Sequence, residues 1–141
     1  MKTIGATPLS SLLGIWNTIG TVYTNTGELI LHGTDSYEIV LDGNFILHRA
    51  HVMIGDEKSE TIEIIGPYIV NGSTPMQYFN PKGESGKMRC EIADNVFTIS
   101  GDGLKFNGLL SDDHCNITGK WYMEKEEGAW TEYIDLKLVR Q

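Results

Sequence analysis

Thr7-Pro8-Leu9-Ser10-Ser11-Leu12-Leu13-Gly14-Ile15-Trp16 is the stretch on which the fold turns. Thr7 is placed to cap a helix, Pro8 suits its first position and Gly14 suits its end. One short N-terminal helix is expected, with its leucines buried against the strands that succeed it. From Ile15 the chain reads as strand almost to the C-terminus, over residues 15–23, 35–41, 44–54, 60–66, 76–79, 87–92, 96–100, 104–110, 115–124 and 129–139. Asp42-Gly43 and Asp102-Gly103 read as tight hairpin turns, and Asn71-Gly72-Ser73, Pro81-Lys82-Gly83 and Ser111-Asp112-Asp113 as longer ones. No gap is wide enough for a crossover helix, so consecutive strands should pair antiparallel as a meander. Residues 25–33 are the one irregular stretch, read as a flap or an added piece of strand. A flat meander of this length leaves two exposed edges, and closure removes both. The expected fold is therefore all-β, an up-and-down antiparallel β-barrel of about eight to ten strands, as one domain over residues 1–141.

Alternation within the strands assigns the faces. In the last strand Trp130, Ile134, Leu136, Leu138 and Arg140 share one face, read as inward. In the strand before it Ile117, Gly119, Trp121 and Met123 oppose Thr118, Lys120, Tyr122 and Glu124. Tyr37, Ile39 and Leu41 share a face, as do Ile46, His48, Ala50, Val52 and Ile54. Arg49 and His51 mark the other side of that strand as outer.

The net charge is −8, with 11 basic and 19 acidic residues. Binding to nucleic acid or to an anionic membrane needs clustered Lys and Arg, so neither partner is expected. Lys120, Lys125 and Lys137 are instead interleaved with acids. Cys90 and Cys115 lack metal-ligand spacing and read as two reduced thiols. Residues 1–5 have no apolar leader core, and no later segment is a membrane span. The expected compartment is the cytoplasm.

The helix followed by Gly14-x-Trp16, with Arg140 at the end of the last strand, resembles the calycin superfamily, which includes the lipocalins and fatty-acid-binding proteins. Across nearly the whole chain the order of segments is similar to an uncharacterised bacterial lipocalin-like family. Those segments include Ser36-Tyr37-Glu38, Asp42-Gly43-Asn44-Phe45, Leu47-His48-Arg49, Ile54-Gly55-Asp56-Glu57, Glu63-Ile64-Ile65-Gly66, Phe106-Asn107-Gly108, Ile117-Thr118-Gly119-Lys120-Trp121 and Asp135-Leu136-Lys137-Leu138. The resemblance implies that Trp16 lies at a closed barrel end with Arg140 packed over it, both as structural residues, and that the lumen binds a ligand.

His48 is the leading functional candidate, the one ionisable group on an apolar inward face of its strand. Tyr37, Trp121 and Trp130 are expected to line the same interior, giving aromatic walls with a few polar tips. No nucleophile motif, phosphate-cradling loop or helical His pair is present, so no catalytic residue is assigned. No metal site is expected, because the adjacent Asp112, Asp113 and His114 on one turn cannot all face one ion. No cofactor is expected either. The nitrobindins, calycin-like barrels with a haem-bound histidine near their C-terminal strands, would require His114 in that role. Three functions remain in order. The first is binding of a small apolar or aromatic molecule in the lumen, without covalent chemistry. The second is a lyase or isomerase using His48 with a tyrosine such as Tyr37. The third is a filled barrel that acts as an interaction module, its outer wall pairing in a homodimer.

Overall fold

The computed structural model describes residues 3–141. Met1 and Lys2, the start of the stretch read above as lacking a leader core, lie outside it. Ten strands form one closed antiparallel barrel in the order of the chain, with the last strand returning to the first. They are β1 (Gly14–Thr24), β2 (Gly27–Val40), β3 (Phe45–Ile54), β4 (Glu57–Ile65), β5 (Thr74–Phe79), β6 (Ser85–Ala93), β7 (Val96–Gly101), β8 (Leu104–Leu110), β9 (Asn116–Glu126) and β10 (Ala129–Arg140). Closure is by β1 against β10, from Trp16 opposite Arg140 to Val22 opposite Ile134. Every strand thus finds two partners, and no sheet edge is left open. No helix of the described residues is long and apolar enough to cross a membrane.

Two details differ from expectation. The stretch 25–33 is mostly strand, because β2 begins at Gly27 and pairs with β1 from there to Tyr37. The N-terminal helix is a pair of 3-10 turns, Ile4–Ala6 and Pro8–Leu12. Thr7 does not cap the second turn; its hydroxyl donates back to the Ile4 carbonyl at 2.8 Å. Pro8 does occupy the first turn of the second element, where its missing N–H costs nothing.

These turns plug one end of the barrel. Ile4, Leu9, Leu12 and Trp16 are fully buried there, among Ile46, Ile65, Met88, Cys90 and Ile117. The Trp16 indole N–H donates to the Leu12 carbonyl at 2.8 Å. The Arg140 guanidinium lies 4.2 Å from the Trp16 ring centre. It also donates to the carbonyls of Leu13, Ser11 (2.7 Å) and His114 (3.0 Å). Gly14 makes this approach possible. A Cβ on it would sit 2.7 Å from an Arg140 nitrogen, and its φ of +124° suits glycine alone.

The opposite end is less filled. Val52 and Ile54 continue the inward face of Ile46 and His48, yet they are only partly buried. The same holds for Trp121 and Met123 on β9 and for Ile134 and Leu136 on β10. The barrel is therefore solid at the plugged end and opens toward the other.

Candidate functional site

The interior polar site sits between these two halves. Register builds it from three adjacent strands. On β3, His48 stands opposite Tyr37 of β2 on one side and Glu63 of β4 on the other. Asp35 precedes Tyr37 by two residues and so shares its inward face. The imidazole Nε2–H donates to Asp35 Oδ1 at 2.6 Å, and Nδ1–H donates to Glu63. The other Asp35 oxygen accepts from the Thr18 hydroxyl of β1 at 2.5 Å. The Tyr37 and His48 rings stack, with centres 4.0 Å apart and planes within 4°.

Electrostatics follow from that arrangement. Burial by itself would favour the neutral imidazole. The Glu63 charge and the hydrogen bonds to Asp35 and Glu63 outweigh it and raise the His48 pKa to about 10. His48 is thus an imidazolium at neutral pH with both nitrogens engaged. It has no lone pair to accept a proton or to ligate a metal. Burial, with the charges of Asp35 and Glu63, holds the Tyr37 phenol well above its ordinary value, so it stays protonated. Nearby Cys90 is pushed up to about 12, chiefly by burial and then by the Glu63 charge, and is an unreactive thiol. Both cysteines are free.

Tyr37 as a residue is only 6% exposed, and among the described residues its hydroxyl has no protein hydrogen-bond partner. No fully enclosed side-chain oxygen of the described residues goes unpartnered, so this hydroxyl keeps some open space beside it. A small interior cavity of about 40 Å³ is lined by Asp35, Tyr37, Phe97, Phe106, Trp121 and Leu136 among others. Trp121 leans on Phe106 with ring centres 5.3 Å apart. Two larger concavities, of about 940 and 730 Å³, lie elsewhere, on the outer wall. Exposed Ile19, Ile30 and Leu109 line the larger one, and Phe45, Ile64 and Phe79 the smaller.

The structure places Tyr37, His48 and Trp121 in the interior. It does not place Trp130 there. Tyr133 is an extra residue on β10, where the register against β9 shifts between Glu132 and Ile134. Such a bulge inverts the face of everything beyond it. Trp130 pairs with outward Glu124, is 38% exposed and lies under the Lys105 ammonium at 4.3 Å on the outside. Asp35, Glu63 and Thr18 are the residues that single-strand alternation does not single out. Their signal is present but weak: Asp35 shares the parity of Tyr37, and Glu63 that of Ile65. Among the described residues no group of three or more His, Cys, Asp or Glu is placed to hold a metal ion.

The chain is similar in structure to the crystal structure of Rv2717c from M. tuberculosis, with a TM-score of 0.66, 14% identity and 94% of each chain covered. At that identity the likeness is one of fold. No family model matches the chain, and no curated protein does.

Proposed function

We propose that this barrel binds a small apolar or aromatic molecule in the open half of its lumen, by packing and hydrogen bonding and without covalent chemistry. The observation that carries the reading is an incompletely buried apolar wall standing over a polar floor. Val52, Ile54, Trp121, Met123 and Ile134 face inward and keep partial exposure, while the residues of the plugged end are fully packed. Apolar walls with a few convergent polar groups are what small-molecule sites require. The lipocalin-like character of the sequence supports the same reading. The cavity beside Asp35 and Tyr37 is small, about 40 Å³. The body of the ligand therefore sits above it, toward the mouth.

The isomerase or lyase reading loses support, since an imidazolium with both N–H groups donated to carboxylates is not a base. The interaction-module reading keeps one support, the apolar outer groove at Ile19, Ile30 and Leu109. One experiment addresses both. Native mass spectrometry of the protein purified from its own host should show a monomer carrying a small-molecule adduct. Trp121→Ala should lose the adduct, and Trp130→Ala should keep it. A ligand-free dimer would overturn the binding reading in favour of the interaction module.

A further inference from the structure

We infer that the ligand is an organic cation, a protonated amine whose nitrogen sits against Asp35 and the Tyr37 hydroxyl beneath an apolar or aromatic body. This rests on the interior-binding reading and narrows it to a chemical class.

Charge points there first. Two carboxylates, Asp35 and Glu63, face a single imidazolium, and among the described residues no lysine or arginine pairs with either. Thr18 contributes a neutral donor only. Two acidic side chains stand against one basic one in a mostly buried place, where an unpaired ion is costly. A cation in the adjoining cavity offsets that imbalance, and an anion would add to it.

The Tyr37 hydroxyl points the same way, independently of charge. Its ring is buried, yet the hydroxyl has no protein partner among the described residues, although buried tyrosines ordinarily find one. Tyr37 borders the same cavity as Asp35. An ammonium there donates one N–H to the carboxylate and another to the phenol oxygen. A purely apolar ligand would leave the phenol oxygen without a donor and add none to Asp35, whose oxygens accept from His48 and Thr18.

The wall completes the site. Phe97, Phe106 and Trp121 line the cavity, and aromatic faces attract cations. The cavity's volume of about 40 Å³ is enough to take an ammonium headgroup. The ring or chain of the ligand then lies against Trp121 and Leu136, toward the open half.

The test is isothermal titration calorimetry of the full chain at neutral pH and fixed ionic strength. The probes are phenethylammonium and its uncharged counterpart, phenethyl alcohol. The ammonium should bind at least about tenfold more tightly, a difference of roughly 1.4 kcal/mol. Tyr37→Phe keeps the stacked ring and removes only a hydroxyl that bonds to no protein group. It should weaken the ammonium severalfold and leave the alcohol unchanged. Asp35→Asn should abolish the preference; since Asp35 also holds Thr18 and His48, Tyr37→Phe decides the matter if that variant fails to fold. Equal or tighter binding of the alcohol, or ammonium binding indifferent to Tyr37→Phe, would overturn the cation assignment while leaving interior binding intact. If neither probe binds, the cation assignment falls; interior binding then stands or falls separately, on the adduct that Trp121→Ala should lose.

Discussion

An imidazole with a carboxylate on each nitrogen is a fixed cation, and that single fact shapes how His48 acts. Its pKa of about 10 in the folded protein stands above the ordinary value of 6.5 for an unfolded chain. The folded state therefore holds a proton that the unfolded state releases between those two values. The resulting stabilisation is complete below about pH 6.5 and is lost as pH rises toward 10. Thermal unfolding followed by circular dichroism should show the melting temperature falling across that window. The loss should be on the order of a few kcal/mol. His48→Gln should be less stable at pH 7 and nearly flat from pH 7 to 10; a wild-type profile equally flat would contradict the imidazolium assignment. His48 itself was legible as an inward residue from the alternation of one strand. Its partners were not, because they come from two other strands and only the register between strands selects them.

Elements differ in how far local pattern carries. In β9 and the C-terminal part of β10, alternation assigns the faces correctly, and Trp121 and Leu138 point inward as their spacing requires. At Tyr133 the bulge breaks the count, and Trp130 turns out to solvent. Nothing in the local composition marks that residue as an insertion; only the register against β9 shows it. Turns show the same limit. Asp42-Gly43 reads as a two-residue hairpin, yet the turn also takes in Leu41, with φ of 52° and 66% exposure. A left-handed leucine is disfavoured by roughly 1–2 kcal/mol, whereas Asp94, Asn95 and Asp102, at similar φ, are types that tolerate it. Leu41→Gly should therefore raise stability by about 1 kcal/mol in denaturant unfolding, reduced somewhat by the entropy that glycine adds to the unfolded chain. Ligand binding should not change. A loss of stability would show that the Leu41 side chain contributes packing that its exposure does not suggest.

Across the complete barrel, closure is the decisive event, and Arg140 fastens it. Its guanidinium joins the end of β10 to the 3-10 plug through the Leu13 and Ser11 carbonyls, to the β8–β9 connection through His114, and to β1 through the Trp16 ring. Arg140→Ala should cost about 3 kcal/mol, from a cation–π contact and several charge-assisted hydrogen bonds whose acceptors are left behind. Arg140→Lys should recover only part of this, since a single ammonium cannot serve three carbonyls in a plane. Denaturant midpoints would check both, and an unchanged ligand affinity would separate this end from the site. The all-β character, the meander order, the packing of Trp16 with Arg140 and the inward face of His48 were all readable along the chain. The first two and the last rest on local periodicity, on turn residues and on the need to remove sheet edges, and the Trp16–Arg140 pair on a resemblance in the order of segments. Folding in three dimensions added the rest: Asp35 and Glu63 flanking His48, Tyr37 stacked on it with a free hydroxyl, Trp130 outside, and one end of the lumen solid. Those features depend on register, on a bulge and on the volume left once side chains from ten strands meet. Contacts between residues distant in sequence are set by how strands pair across the sheet, and the alternation within any one strand carries no record of them.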